Sequence, residues 1–201
     1  LLEGLDLDGL DGLYKGLYIR EIANGLRDEG IAINNKISIP NLSGSSDELI
    51  DALILEMKEA VGNETFQMIS DKTVLEMTNL LKDDLSDFRV SQDGFYSEKS
   101  LFSEGRIKEA CEIIKKNGHA FEKDGALWLE STKHGDDKDR VVIREDGRTT
   151  YFASDIAYHH HKKLRGFDLL INVLGSDHHG YVSRLEAGLT STGNKASDLE
   201  V

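Results

Sequence analysis

The 201 residues suffice for one good core, or one core with a smaller inserted subdomain, and 39% hydrophobic with 30% charged residues suit a domain with a large solvated helical surface better than a disordered tail. The formal net charge of −13 argues against this chain as the main grip on a nucleic acid, which needs clustered Lys and Arg. The one cysteine, Cys111, excludes an internal disulfide and points to a reducing cytoplasm, and no apolar run of roughly 18 residues is present to span a membrane.

Residues 1–13 alternate Leu, Gly and Asp without a clear period and read as a loose lead-in. Over residues 14–27, Leu17, Tyr18, Ile22 and Leu26 recur at helical spacing and predict a helix. Residues 30–46 contain the only proline, Pro40, and a Ser-Gly-Ser-Ser run, the texture of a linker or insertion. Asp47 then caps a predicted helix to Ala60, with Leu49, Ile50, Leu53, Ile54 and Met57 on one face. Asp71 reads as the cap of the next helix, with Val74, Leu75, Met77, Leu81 and Leu85 inward and Lys82-Asp83-Asp84 on its solvated side. A further helix is predicted from Ser103 or Glu104 to Lys116, stopped by Asn117-Gly118, with Cys111 as packing on its apolar face.

Beyond that helix the texture changes. Ala126-Leu-Trp-Leu-Glu130 and Val141-Val-Ile-Arg144 are β-type runs, and Asp146-Gly147 signals a hairpin with residues 149–153 as the return strand. A helix over 155–164, an apolar strand over 169–174, a polar turn over 175–180 and a helix over 181–190 follow. This alternation predicts an α/β fold, in which a βαβα unit forms part of a Rossmann-like parallel sheet with a crevice at its strand ends. The helical first half is expected to be an inserted or flanking subdomain. Residues 197–201 read as an element just starting, so the chain is taken as a piece of a longer protein.

The chemistry-bearing residues gather at the C-terminal ends of the two predicted strands, where such a sheet places its ligand. Tyr151 and Asp155 come from the first, and Asp177, His178, His179 and Gly180 from the second. In an extended strand Tyr151 and Asp155 would lie roughly 13 Å apart, so sharing a small ligand requires the chain to turn after Phe152. Asp155 itself reads either as a helix cap or as a ligand group. His159-His160-His161 would fan about 100° apart on a helix and cannot converge on one ion, so they read as an exposed polar face. Adjacent residues on a tight turn and an isolated Cys111 make no metal-site pattern, and no metal site is predicted.

Six segments carry a specific likeness, in order and with matching spacing. They are Asp83-Asp-Leu-Ser-Asp-Phe88, Phe95-Tyr-Ser-Glu-Lys-Ser-Leu-Phe102, Glu122-Lys-Asp-Gly-Ala-Leu-Trp128, Gly135-Asp-Asp-Lys-Asp-Arg-Val141, Thr150-Tyr-Phe-Ala-Ser-Asp-Ile-Ala-Tyr-His159 and Leu174-Gly-Ser-Asp-His-His-Gly-Tyr181. Residues 64–201 thereby resemble the catalytic domain of bacterial arginyl-tRNA synthetases, class I enzymes. The likeness is weak over 14–63, where Tyr14-Lys-Gly-Leu-Tyr18 is its one echo. The division it implies is a helical lead-in and loop over 1–63, a helical insertion-type segment over 64–125, and the second half of the nucleotide-binding catalytic fold over 126–201. Residues 135–140 read as a solvated connecting loop.

The resemblance implies an arginine–tRNA ligase that uses ATP and Mg²⁺, with L-arginine and tRNA(Arg) as partners and the tRNA held mostly by other domains. A cytoplasmic monomer is expected. Arginine presents a planar guanidinium with five donors in a fixed fork, so its pocket should offer carboxylates and an aromatic partner. By resemblance Asp155 and Glu98 are the carboxylates and Tyr151 the aromatic hydroxyl. His178 falls at the α-amino end of arginine, and Asp177, His179 and Gly180 lie toward the adenylate. The family's His-Ile-Gly-His-type and Lys-Met-Ser-Lys-Ser-type ATP motifs do not occur in this chain, so the chain alone is expected to be inactive. The rival reading is a non-catalytic arginine- or nucleotide-binding module derived from such a domain; a metal hydrolase built on the Asp177-His178-His179 turn would need further ligands that the sequence does not offer.

Overall fold

The computed structural model describes residues 16–31 and 46–201, apart from the side chains of Ser46, Asp47 and His179. The lead-in over 1–13, most of the 30–46 segment with Pro40, and the capping side chain of Asp47 therefore lie outside the described residues. The chain forms two compact units, Leu1–Asp93 and Gly94–Val201, a different division from those at 63/64 and 125/126 expected from sequence.

In the first unit, helices α1 (Leu17–Asp28) and α2 (Ser46–Val61) both pack on α3 (Asn63–Asp87). Each contributes one fully buried apolar side chain, Leu26, Leu53 and Ile69. Asp71 is not a cap: α3 runs through it, and Gln67 Nε2 donates to its Oδ1 at 2.8 Å, one turn along the helix. Val74, Leu75 and Leu81, expected inward, are exposed. Periodicity identifies an apolar face but not what covers it.

The second unit opens with α4 (Glu98–Ser103) and α5 (Arg106–Lys116), where a single helix from Ser103 or Glu104 was expected. Leu101 from α4 and Ile107, Ala110, Cys111 and Ile114 from α5 enter one core with Leu127, Leu129 and Val142 of a sheet. Burial pushes the Cys111 thiol up to about 11, which suits packing and not thiolate chemistry. The sheet is antiparallel, β1 (Ala120–Lys123), β2 (Ala126–Leu129) and β3 (Arg140–Ile143) in that order. Its first hairpin turns on Asp124-Gly125 with φ of 52° and 75°, both left-handed, which an Asp-Gly pair adopts readily. Phe121 and Trp128 face each other across that hairpin with rings 6.3 Å apart.

The strand expected over 149–153 does not form. The Asp146-Gly147 turn closes, and one bridge joins Ile143 to Thr149. The Thr150 amide and hydroxyl then bond to the Val142 and Val141 carbonyls, and the chain winds directly into α6 (Tyr151–Leu164). Packing decides the conformation here: Phe152, Ala153, Ile156 and Ala157 repeat at helical period and complete the core. The expected 169–174 strand contracts to β4 (Leu170–Ile171), and Leu169, Val173 and Leu174 are exposed. It pairs in parallel with β5 (Leu199–Glu200) across the helix α7 (Val182–Ser191). The α/β class thus holds, its parallel part being the β4–α7–β5 crossover, while the larger sheet is antiparallel. Leu170, Leu185, Leu189 and Leu199 form a small core of their own, with Tyr181 packed against it.

Helices α6 and α7 meet at Gly188. A Cβ there would lie 2.9 Å from Ile156 Cγ1 and 3.3 Å from Phe152 Cε2, so glycine sets how closely α7 approaches α6.

Candidate functional site

Helix α6 carries two stripes. Phe152 and Ile156 face the core, while Tyr151, Ser154, Asp155 and Tyr158, spaced i, i+3, i+4, i+7, line a cavity of about 250 Å³. Tyr96, Glu98 and Leu101 complete its wall from α4 and the segment before it. Glu98, Tyr151 and Asp155 are thereby brought together. The chain turns at Thr150 and not after Phe152, so Tyr151 and Asp155 are neighbours one helical turn apart. Asp155 stands in the second turn, where it caps nothing; Thr150 holds the N-cap position.

The aromatic groups divide by availability. Tyr158 is engaged on its ring by Tyr96, stacked at 4.9 Å, and by the Lys162 ammonium at 4.3 Å. The Tyr96 hydroxyl is buried without a hydrogen-bond partner among the described residues. Tyr151 is 82% exposed and stands at the mouth, its ring open to a ligand. Two carboxylates with an accessible aromatic ring make a site for a cation, and a planar, multi-donor cation uses all three groups.

His178 and Asp177 do not line this cavity. They occupy a 3-10 turn, Ser176–Tyr181, exposed and paired with each other at 3.6 Å. Gly180 is exposed on the same turn, and the side chain of His179 lies outside the described residues. The turn is nevertheless attached to the cavity, because the Tyr181 hydroxyl donates to Asp155 Oδ2.

The histidine triplet is not an exposed face. His159 is buried: its Nδ1–H donates to the Asp155 carbonyl at 2.8 Å, and its Nε2 accepts from Asn172 Nδ2 at 2.7 Å. Lys162 Nζ donates to Asn172 Oδ1 at 3.2 Å, so this network links α6 to the end of β4. Burial lowers the His159 pKa, opposed by the bond to the Asp155 carbonyl. The 135–140 loop is not simply solvated either. Asp136 is buried and accepts two bonds from Arg140 at 2.8 Å, and these hold its carboxyl well below the usual carboxylate range. Among the described residues no cluster of three His, Cys, Asp or Glu side chains could hold a metal ion.

Ser154, Tyr158, Tyr96 and Tyr181 are the site residues that the sequence reading missed. A helical reading of residues 151–158 exposes the first two as one stripe with Asp155. Tyr96 lies two residues before Glu98 in a segment already singled out. Tyr181 meets Asp155 across 26 positions, and no local signal marks that contact.

The family model described as tRNA synthetases class I (R), catalytic domain, matches residues 51–199. The arginine–tRNA ligase of Thioalkalivibrio sulfidiphilus is 41% identical over 209 residues, covering 100% of this chain and 36% of that protein. That of a Psychrobacter species is 43% identical over 179 residues, covering 89% and 29%. A crystal structure described as an arginyl-tRNA synthetase of Campylobacter jejuni superposes with a TM-score of 0.66 at 32% identity, covering 89% of this chain and 40% of that one. The chain spans about a third of the length of the curated relatives it matches.

Proposed function

Because the chain belongs to the catalytic-domain family of class I arginyl-tRNA synthetases, we propose that its cavity selects L-arginine for activation by ATP and transfer to tRNA(Arg). The observation that carries this reading is the convergence of Glu98, Tyr151 and Asp155 on one cavity from two helices. Asp155 and Glu98 pair with the guanidinium, and Tyr151 lies along its plane and accepts an N–H through its hydroxyl. A lysine ammonium would reach the same carboxylates as a point charge but could not use their paired geometry.

In the reaction the arginine carboxylate attacks the α-phosphorus of ATP, a new C–O–P bond forms and pyrophosphate leaves. A hydroxyl of the tRNA's terminal ribose then attacks the arginyl carbonyl carbon, an ester bond forms, the carbonyl–phosphate bond breaks and AMP leaves. This chain's share is to hold the amino acid in line, which converts a bimolecular encounter into an oriented one. His178 takes the α-amino end, and the Asp177–Gly180 turn, including His179, faces the adenylate. Mg²⁺ would enter with the nucleotide phosphates. The net charge of −13 supports a tRNA grip located mainly on other parts of the protein. Among the described residues no helix is long and apolar enough to cross a membrane. The lone buried Cys111 suits the reducing cytoplasm where we place the protein.

The test is arginine-dependent exchange of pyrophosphate into ATP by the full-length protein, with and without tRNA, for wild type and Asp155→Asn. The substitution keeps the size and removes one charge, so kcat/KM for arginine should fall roughly 30- to 5000-fold, corresponding to about 2–5 kcal/mol. Unchanged arginine kinetics in Asp155→Asn would remove the cavity from the reading.

A further inference from the structure

We propose that Tyr181 is a positioning residue for arginine selection, fixing the plane of the Asp155 carboxylate so that a flat guanidinium pairs with it better than a compact ammonium does. The inference rests on the reading of the cavity as an arginine site. It starts from a hydrogen bond that crosses the fold: the Tyr181 hydroxyl donates to Asp155 Oδ2, while among the described residues no hydrogen bond reaches Oδ1. One carboxylate oxygen is held by the protein and the other is left for a ligand.

The phenol is itself held. Its ring packs on the Leu170, Leu185, Leu189 and Leu199 cluster, and the Arg184 guanidinium carbon lies 4.5 Å from its centroid. Burial, and then the adjoining Asp155 carboxylate, raise the Tyr181 pKa, so the hydroxyl remains a donor throughout the neutral range. A free aspartate rotates through a broad, two-fold χ2 well. Pinning Oδ2 removes that freedom and leaves the carboxylate in one plane.

The consequence is specific to the shape of the cation. A guanidinium presents its N–H pairs in a single plane and gains most when the carboxylate is coplanar with it. An ammonium carries three rotatable donors about a point charge and is indifferent to that plane. Tyr181 also ends the turn that carries Asp177 and His178, and it occupies the N-cap position of α7. The same hydroxyl therefore ties the proposed adenylate side to the guanidinium side.

The test uses the full-length protein with Tyr181→Phe, which removes the hydroxyl and keeps the ring. Arginine KM and the inhibition constants of agmatine, a guanidinium, and cadaverine, an ammonium of similar length, are measured together with thermal melting. Arginine KM and the agmatine constant should each rise about tenfold, the loss of one hydrogen bond to a charged group. The cadaverine constant, kcat at saturating arginine and the melting temperature should stay close to wild type. In an Asp155→Asn background, Tyr181→Phe should add less than twofold. Agmatine and cadaverine constants that rise together, with or without a fall in melting temperature, would overturn the proposal, as would an unchanged arginine KM. If Asp155→Asn itself leaves arginine KM unchanged, the arginine site has failed; if Asp155→Asn acts and Tyr181→Phe does not, only the positioning role has failed.

Discussion

Replacing Gly188 by alanine tests the packing that brings α6 and α7 together. In an open helix interior the change would stabilise, because alanine is favoured over glycine by about 0.8–1.0 kcal/mol. Here the new Cβ would sit 2.9 Å from Ile156 Cγ1 and 3.3 Å from Phe152 Cε2, inside the ~3.5–4.0 Å of a good carbon–carbon contact. Ile156 and Phe152 are both buried in the core, so neither can swing into solvent. Forcing an extra methyl into a packed core costs about 1–3 kcal/mol. The net expectation is destabilisation by about 1 kcal/mol, or a fall in Tm of about 4 °C. Thermal melting of the chain reads this directly. A second variant, Ile156→Ala, should cost about 2–5 kcal/mol alone through the cavity it leaves. Combined with Gly188→Ala it should cost less than the sum, because the added methyl then has room. A raised Tm in Gly188→Ala, or effects that add within about 0.5 kcal/mol, would refute close packing as the reason for this glycine.

Two further outcomes follow from the faces of α6. Phe152→Ala should destabilise by about 3–5 kcal/mol through a core cavity without an arginine-specific defect, whereas Tyr151→Phe, at an 82% exposed position, should change stability by under about 0.5 kcal/mol and still raise arginine KM. A clean arginine defect with normal melting in Phe152→Ala would invert that assignment. His159 is buried with a lowered pKa, so the unfolded chain binds a proton first, below about pH 6.5. Stability should therefore fall as pH drops from about 6.5 toward the native pKa and level off beneath it. A proton on His159 Nε2 takes away the acceptor of Asn172 Nδ2, beside the Lys162 ammonium that donates to Asn172 Oδ1. Melting curves from pH 7.5 to 5 should show a shallower decline in His159→Gln than in wild type; parallel declines would assign the pH dependence elsewhere.

Residue order alone carried the family likeness and much of the local structure. The helices α2, α5 and α7 follow from apolar spacing, and β2 and β3 from short β-type runs, because both depend on neighbours within a few positions. Bringing Tyr151 and Asp155 together was expected to need a turn between them, but the bend lies at Thr150, ahead of both, and the helix does the rest. Tertiary packing decided the rest. Thr149-Thr-Tyr-Phe has a strand's composition, yet the core takes Phe152, Ala153 and Ile156 at helical period, so the strand ends at its first bridge. The 169–174 run looks like a buried strand, but a parallel strand is buried only where its neighbours cover it, and here only Leu170 is fully buried. Likewise, no spacing rule brings Glu98 from α4 into the cavity or carries the Tyr181 hydroxyl to Asp155. Those contacts join segments that share no local period, and they exist only where two separately legible elements pack on the same core.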